Sequence, residues 1–216
     1  MKRNYLGVSL LALFALALSS PTPASVSEPD RLEFKVYLND KEVGKHHYTI
    51  TEADGVQRVQ SDANFTYKIL FIPAYRYEHS NSEQWVDNCL LDFEARTNAN
   101  GKDIQTSGEL GEGGFTVRNA EGRMELPDCV MSFAYWNPGF LEQPRLLNPQ
   151  TGEYVEVSVE QLEQETLDVR GELIPALKYR LTAYEVDLTL WYSKEDQWLA
   201  LESIAKGGHV IRYELS

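Results

Sequence analysis

Basic residues are scarce in this chain, and their scarcity limits its partners. The 216 residues contain 20 Lys and Arg against 33 Asp and Glu, for a net charge of −13. Nucleic-acid binding needs a basic face that neutralises phosphates and releases counterions. The composition therefore argues against nucleic acid as a partner. With 43% hydrophobic and 25% charged residues, the chain is instead typical of a folded globular protein.

Long apolar runs are also missing, except for a short one at the start. Met1-Lys2-Arg3 precedes an apolar stretch over residues 5–18, which small residues and prolines follow. This order predicts a secretory signal peptide over residues 1–24, with cleavage between about Ser19 and Ala24. An uncleaved anchor is the alternative, although a membrane span needs about 20 apolar residues.

Signal cleavage would make the working protein more acidic. The segment carries Lys2 and Arg3 and no acidic residue, so the mature charge becomes −15 instead of −13. Anionic lipid headgroups repel such a surface. We therefore expect a periplasmic protein, with secretion as the alternative, and no stable membrane insertion after cleavage.

Cysteine is nearly absent, and the two that occur are informative. Cys89 and Cys129 both follow the predicted signal peptide. An exported chain meets an oxidising compartment, so the pair predicts one disulfide. A redox pair or a thiol nucleophile is the alternative, but the chain has no C-x-x-C motif.

No helical stripe with a 3.6-residue period persists for ten residues, whereas two-residue alternation is widespread. Leu32, Phe34, Val36 and Leu38 alternate with polar residues, and apolar or aromatic side chains occupy odd positions between Ala63 and His79. The pattern predicts an all-β fold. We expect a single antiparallel meander over residues 25–216, curled into a β-roll or open barrel.

Several local features refine this expectation. Asn39-Asp40, Asp54-Gly55 and Asp87-Asn88 predict tight turns. Pro73 predicts a bulge or bend in its strand, and residues 108–122 predict a loose glycine-rich hairpin. Short helical turns are expected only over residues 139–143 and 159–165.

One long connection is too apolar to be a solvated loop. Between Cys129 and Val157 it carries Phe133, Tyr135 and Trp136, together with Phe140, Leu146 and Leu147. Asn-Pro pairs at 137–138 and 148–149 favour turns. We expect an ordered loop pinned to the sheet by its aromatic side chains.

Two motifs of this connection resemble a known family. Phe-Ala-Tyr-Trp-Asn-Pro (133–138) and Leu-Leu-Asn-Pro-Gln-Thr-Gly (146–152) are similar to an uncharacterised family of exported proteins of Gram-negative bacteria, a domain of unknown function. The likeness extends to residues 36–46, 83–90 and 190–193. The closing half more distantly resembles a larger family of exported β-roll proteins of unknown function. The resemblance implies an exported all-β protein and no particular activity.

The chain departs from that family at two turns. Asp40-Lys41 stands where the family usually has Asp-Gly, and Asn88 stands where a glycine is usual. These departures concern only local turn geometry.

Catalytic and metal-binding patterns are absent from the sequence. The four histidines (46, 47, 79 and 209) show no H-x-H or H-x-x-x-H spacing, and no serine lies in a G-x-S-x-G context. We therefore predict no metal and no cofactor. His79 with Glu78 and Glu83 could provide acid–base chemistry, but solvated polar groups are the preferred interpretation.

Aromatic side chains give the best indication of a site. We predict a concave ligand site whose residues are Tyr75, Tyr77, Trp85, Tyr135, Trp136, Asn137, Arg145 and Asn148. Tyr and Trp combine an apolar ring with a polar end, as ligand sites in barrel mouths require. Ordinary core packing of a curled sheet is the alternative.

Three functions are compatible with these features. The leading hypothesis is a non-enzymatic binding module for a lipid-like or amphipathic ligand, or for a partner protein of the cell envelope. The second is a hydrolase-like envelope enzyme with a site near Trp136-Asn137, Arg145, Asn148 and Glu83. A buried carboxylate with a shifted pKa beside His79 would favour the enzyme, and a filled sheet interior would argue against it. The third is a structural or assembly factor with no small-molecule site.

Overall fold

The structure is a computed structural model, and it describes residues 28–69, 72–184, 186–204 and 208–216. The predicted signal peptide lies outside this range. The described part confirms the all-β prediction, since nearly every segment is a strand and the helical element is one 3-10 turn over Pro138–Glu142. No helix of the described residues is long and apolar enough to cross a membrane.

Eight strands form the first half of the fold. They are β1 (Asp30–Leu38), β2 (Lys41–Ala53), β3 (Val56–Ile69), β4 (Ile72–Val86), β5 (Cys89–Ala99), β6 (Lys102–Gly111), β7 (Gly114–Asn119) and β8 (Gly122–Leu126). Each is antiparallel to its neighbour in the chain. Two-residue alternation along these strands places one side-chain set on the inner face and the other in solvent.

Seven strands form the second half. They are β9 (Arg145–Leu147), β10 (Tyr154–Gln161), β11 (Glu165–Val169), β12 (Glu172–Ala183), β13 (Val186–Tyr192), β14 (Trp198–Ile204) and β15 (Val210–Leu215). The predicted helical turn over residues 159–165 is wrong, because β10 continues to Gln161. Residues 108–122 contain the predicted hairpin, which β6 and β7 form with regular antiparallel pairing around a turn at residues 112–113.

The two halves join through the first and last strands. The sheet order is β8 to β1 in reverse chain order, then β15, β14, β13, β12, β10 and β9, with β11 paired to β12. β1 meets β15 in antiparallel register from Phe34 opposite Leu215 to Leu38 opposite Ile211. β8 and β9 do not pair, so the sheet curls without closing. The result is the predicted open roll.

Turn chemistry explains why the hairpins are so tight. Asn39, Asp40 and Asp54 adopt left-handed backbone conformations, as do Asp87 and Asn88. Two successive left-handed residues suit the right-handed twist of the flanking strands. Asn and Asp tolerate this conformation better than most residues, so the turns predicted from these pairs are confirmed.

A ladder irregularity accompanies Pro73, as expected for a residue without a backbone donor. The β3–β4 register shifts between Tyr67 and Lys68, and Lys68 is the partner of Pro73. A bulge at this position bends the two longest strands of the sheet. It therefore contributes to the curl.

Residues 127–153, here called the covering segment, connect β8 to β10 and include the 3-10 turn and β9. Its backbone is hydrogen-bonded to the sheet where Leu90 N–H donates to Val130 O at 2.9 Å, and to itself where Leu147 N–H donates to Met131 O at 2.9 Å. The Cys89–Cys129 disulfide, confirmed by the structure, fixes its start to β5 across a separation of 40 residues. The segment is therefore ordered, as predicted.

Aromatic packing holds the covering segment against the roll. The Trp198 ring lies 4.0 Å from Phe34, 5.6 Å from Tyr48 and 5.4 Å from Tyr135 of the covering segment, measured between centroids. Tyr192 Oη donates to the backbone oxygen of Tyr135 at 2.7 Å. Phe140 of the 3-10 turn is completely buried. Each buried aromatic side chain of this kind contributes roughly 1.5–3 kcal/mol.

We predict that alanine substitutions at two glycines in turns change the free energy of unfolding differently. Gly55 has φ +75°, whereas Gly113 does not have a positive φ, and neither would place a Cβ within 4 Å of another residue. Gly55→Ala should lower the free energy of unfolding by about 1 kcal/mol, because the left-handed region is strained for alanine. Gly113→Ala should leave it unchanged or raise it. Urea unfolding of both variants provides the measurement, and equal effects would contradict the explanation.

Candidate functional site

The inner face of β2 to β5 is unusually polar for a curled sheet. In one row of paired residues, His46 faces Ala63, Ala63 faces His79, and His79 faces Thr97. The next two rows carry Tyr48, Ser61, Asn81 and Ala95, then Ile50, Val59, Glu83 and Phe93. Small and polar side chains in the middle of these rows leave space that large apolar side chains would fill.

The covering segment closes this space into a cavity of about 210 Å³. Its floor is polar and comes from the sheet (His46, Ser61, His79, Asn81 and Glu83). Its walls are aromatic and come from both parts of the fold (Tyr48, Tyr77, Phe133, Tyr135, Trp136 and Tyr213), and Asn148, Pro149 and Gln150 form its rim.

Hydrogen bonds fasten the rim to the sheet. Tyr77 Oη donates to Gln150 Oε1 at 2.8 Å, and Thr106 Oγ1 donates to the backbone oxygen of Pro149. Asn119 Nδ2 donates to Thr151 O at 3.0 Å. The rim is therefore a defined structure, and Gln150 is a partly exposed residue at its edge.

Glu83 is the central polar group beneath the covering segment. Only 4% of its surface is exposed. Its Oε1 accepts from Asn81 Nδ2 at 2.9 Å and from Ser132 Oγ at 3.0 Å, and its Oε2 accepts from Trp85 Nε1 at 3.1 Å. Trp136 is a fourth side-chain donor. Ser132 and Trp136 belong to the covering segment, so this one carboxyl group ties the segment to β4.

Two opposing effects set the protonation of Glu83. Burial raises the pKa of its carboxyl group, and the four side-chain donors lower the pKa by stabilising the carboxylate. Burial is the larger effect, and the pKa lies above its ordinary value. No charged side chain of the described residues forms a salt bridge with this carboxyl group.

His46 and Asn81 carry the unmet hydrogen-bonding capacity of the cavity. His46 is 8% exposed, and neither ring nitrogen has a hydrogen-bond partner among the described residues. The Oδ1 atom of Asn81 is likewise buried and unpaired there. The His46 ring packs against Tyr48 at a tilt of 32°, with ring centroids 4.4 Å apart. Desolvation lowers the pKa of His46 to about 3, so its ring is neutral at physiological pH.

A larger depression of about 530 Å³ lies on the other side of the sheet, and His47, Asp62 and Glu78 are among its residues. These side chains are exposed. Water can satisfy their hydrogen bonds, so nothing there requires a ligand. The smaller cavity is the better candidate because its polar atoms are buried and unpaired.

A comparison with protein families identifies the chain. The model of a domain of unknown function, DUF6134, matches residues 34–216. The chain belongs to the DUF6134 family. This agrees with the resemblance to an uncharacterised family that the two motifs of the covering segment indicated. No curated protein matches the sequence.

The fold of this DUF6134 chain is similar to that of a solved structure. A β-barrel-like protein of the domain of unknown function DUF1849 from Brucella abortus superposes with a TM-score of 0.64. The match covers 87% of this chain and 95% of the other, at 9% sequence identity. At this identity the likeness establishes the barrel-like fold alone.

The structure brings four of the eight predicted site residues together. Tyr77, Tyr135, Trp136 and Asn148 all line the cavity. They come from β4 and from both halves of the covering segment, which the sequence separates by up to 71 positions. The structure thus brings residues of the aromatic strand and of the aromatic loop to one cavity, and their role in ligand binding stays a prediction.

The other four predicted residues lie elsewhere. Tyr75 is exposed, and Trp85 is buried beside Glu83 instead of lining the cavity. Asn137 begins the 3-10 turn, where its Oδ1 accepts from Gly139 N–H and its Nδ2 donates to Asn88 Oδ1. Arg145 is exposed and pairs with Glu156 at 3.0 Å.

The acid–base trio of the sequence does not assemble. Glu78, His79 and Glu83 all lie on β4, and Glu78 is exposed. His79 and Glu83 point inward but stand four residues apart, or about 13 Å along an extended strand. His79 Nδ1 instead lies 2.8 Å from Thr97 Oγ1. The buried carboxyl group of Glu83 and the ring of His79, whose pKa burial lowers, thus lie in separate environments.

The sequence prediction of the site omitted His46, Ser61 and Asn81. A signal for Asn81 was present, because it continues the odd-numbered inward series of Tyr77 and His79 along β4. Polar residues at inward positions of an otherwise apolar series indicate a polar cavity or a buried network. The same two-residue alternation, at even positions on β2 and at odd positions on β3, would have selected His46 and Ser61.

Titration of Glu83 should make the stability of the protein depend on pH in one direction. Its raised pKa favours the folded state at low pH, and this contribution is lost as pH rises above 4.5 through the folded pKa. Relative to Glu83→Gln, the wild type should therefore lose up to about 1.4 kcal/mol per pH unit in that interval. Urea unfolding between pH 4 and 8 measures the difference.

Glu78→Gln is the matched control for this titration, since it changes the exposed face of the same strand. The control should show no such trend. An amide at position 83 also places a donor against the donors of Asn81, Ser132 or Trp85, which should lower stability by about 1–3 kcal/mol at all pH values. A difference between wild type and Glu83→Gln that stays constant with pH would contradict the assignment.

Titration of His46 should act in the opposite direction. Its pKa of about 3 lies below the ordinary value of 6.5, so its stabilising contribution is present above pH 6.5 and is lost as pH falls towards 3. The wild type should lose about 1.4 kcal/mol per pH unit relative to His46→Phe in that interval. His47→Phe makes the same change on the exposed face and should give no comparable trend. Parallel pH profiles for wild type and His46→Phe would refute the prediction.

Proposed function

We propose that the chain is exported to the periplasm and acts there as a non-enzymatic binding protein. Its ligand is a small amphipathic molecule held between the inner face of the sheet and the covering segment. The observation that carries this proposal is the pair of buried polar side chains, His46 and Asn81, which line the cavity and carry atoms without a hydrogen-bond partner among the described residues. Buried polar groups are normally hydrogen-bonded, and a ligand would supply the missing partners.

The amphipathic character of the ligand follows from the lining. The floor offers hydrogen-bonding groups of His46, Ser61 and Asn81, while the walls offer aromatic rings. Ligand sites combine these two kinds of surface, one for affinity and one for orientation. A long acyl chain would leave the polar floor unsatisfied, so the proposal places a headgroup-sized molecule in the cavity.

Two features support export. The order of residues 1–24 is that of a signal peptide. The Cys89–Cys129 disulfide suits an oxidising compartment. Export to the periplasm is proposed on these grounds.

An envelope enzyme is the second candidate, and Glu83 is the observation in its favour. A buried carboxyl group with a raised pKa that accepts a hydrogen bond from Ser132 resembles a base beside a nucleophile. Ser132, however, is completely buried. Its hydroxyl is therefore shielded from substrate, and the Ser132–Glu83 contact is better explained as an anchor of the covering segment.

An envelope protein as partner and a purely structural role are the remaining candidates. Neither explains why two buried polar side chains that lack hydrogen-bond partners among the described residues should line a cavity. A structural roll would be more stable with apolar side chains at positions 46 and 81, since each unpaired buried polar group costs about 1–3 kcal/mol.

The binding proposal predicts a molecule that co-purifies with the protein. Protein expressed from the full sequence, released by osmotic shock and purified without detergent, should show an added mass in native mass spectrometry that denaturation removes. Returning that molecule at about 100 times its Kd should stabilise the fold by about 2.7 kcal/mol, or a Tm rise of roughly 5–10 °C.

His46→Phe should lose both the added mass and the Tm rise, while His47→Phe should keep both. Retention of the protein in the cytoplasm would refute export. Absence of any bound molecule, together with no Tm rise from fractionated periplasmic extract, would refute the binding function.

A further inference from the structure

The chemistry of the cavity narrows the class of ligand, and this inference rests on the proposed function. No Lys, Arg or Asp borders the cavity among the described residues. Its titratable side chains are two histidines, Glu83 and four tyrosines. Burial lowers the pKa values of His46 and His79 and raises those of Glu83, Tyr48, Tyr77, Tyr135 and Tyr213.

An anion entering this cavity would therefore lose its hydration without meeting a positive charge, which is costly in a buried site. A cation would meet aromatic faces, but its only counter-charge would be Glu83, whose two oxygens already accept from the side chains of Asn81, Ser132 and Trp85. The lining thus favours an uncharged ligand.

The unpaired atoms specify what the ligand must offer. Asn81 Oδ1 is an acceptor, and a neutral His46 has one acceptor and one donor nitrogen. A fitting ligand must donate at least two hydrogen bonds and accept at least one. Hydroxyl groups do both. Esters, quinones and quaternary ammonium groups have no such donors and would leave Asn81 Oδ1 unpaired.

The walls specify the shape. The Tyr48 ring packs at a tilt against His46 on the sheet, and the rings of Tyr135 and Trp136 come from the covering segment. Aromatic surfaces on two sides favour a flat or ring-shaped molecule with apolar C–H faces. A cavity of about 210 Å³ has room for one small ring.

We infer that the cavity binds a single uncharged sugar ring, with its hydroxyl groups hydrogen-bonded to His46 and Asn81 and its faces against the aromatic walls. Gln150, hydrogen-bonded to Tyr77 at the rim, stands where a ring substituent would leave the cavity.

Titration calorimetry tests the inference with defined probes. D-Glucose, D-galactose and N-acetyl-D-glucosamine represent uncharged sugars, and choline and octanoate represent the cationic and acyl alternatives. We expect at least one sugar to bind the wild type at pH 7 and neither choline nor octanoate to do so. His46→Phe keeps an aromatic ring beside Tyr48 but removes both nitrogens, and should weaken sugar binding about tenfold or more.

Asn81→Leu should weaken sugar binding similarly, and His47→Phe should leave it unchanged. Far-UV circular dichroism and the intact disulfide verify that each variant is folded. Asn81 also contacts Glu83, so its substitution could act through that contact. The decisive test is therefore His46→Phe: if this folded variant binds sugar as tightly as the wild type, the proposed hydrogen bonds are refuted.

The outcomes separate the inference from the proposed function. If choline or octanoate binds, no sugar binds, and His46→Phe loses that binding, the sugar assignment is overturned. The proposed function as a binding protein would then remain. Sugar binding that His46→Phe and Asn81→Leu do not affect would move the site elsewhere and overturn the inference. Binding of none of the five probes would overturn it too, and the absence of a co-purified molecule would then remove the binding function as well.

Discussion

The architecture of the site depends on one buried carboxyl group. Glu83 receives hydrogen bonds from Asn81 and Trp85 of its own strand and from Ser132 and Trp136 of the covering segment. A carboxyl group has enough lone pairs to hold all four donors. Loss of this group would leave several buried donors unpaired at once, which makes the contact cooperative. The disulfide restrains the segment at Cys129, and Glu83 sets its position over the sheet.

The protein buries two titratable groups in forms that favour opposite pH ranges. Glu83 favours folding at low pH through its raised pKa, and His46 favours folding at neutral pH through its lowered pKa. Both groups remain buried and uncharged only at a pH above the lowered pKa of His46 and below the raised pKa of Glu83. An apolar pair of the same shape would have no such restriction. The restriction is a stability cost that the cavity imposes on the fold.

The sequence predicted the strands better than their assembly. Alternation along β1 and the left-handed turn residues at 39–40 and 87–88 act over a few residues, so they can be recognised locally. The pairing of β1 with β15 joins residues as far apart as Phe34 and Leu215, and no local pattern encodes it. For the site, aromatic content selected Tyr77, Tyr135 and Trp136, which the structure places around one cavity. It also selected Tyr75, which is exposed, because exposure along a strand depends on tertiary contacts.

Under the proposed function, a bound ligand pairs with the remaining polar groups of the cavity. A roll that merely needed stability could fill the space with larger apolar side chains at positions 46, 61 and 81, as Phe93 and Phe115 fill it farther along the sheet. Instead, the small and polar residues form a continuous path across β2, β3 and β4, and the covering segment meets them with aromatic rings. Apolar packing thus holds the two surfaces together around the cavity, while its floor keeps hydrogen-bonding capacity that the protein itself does not use.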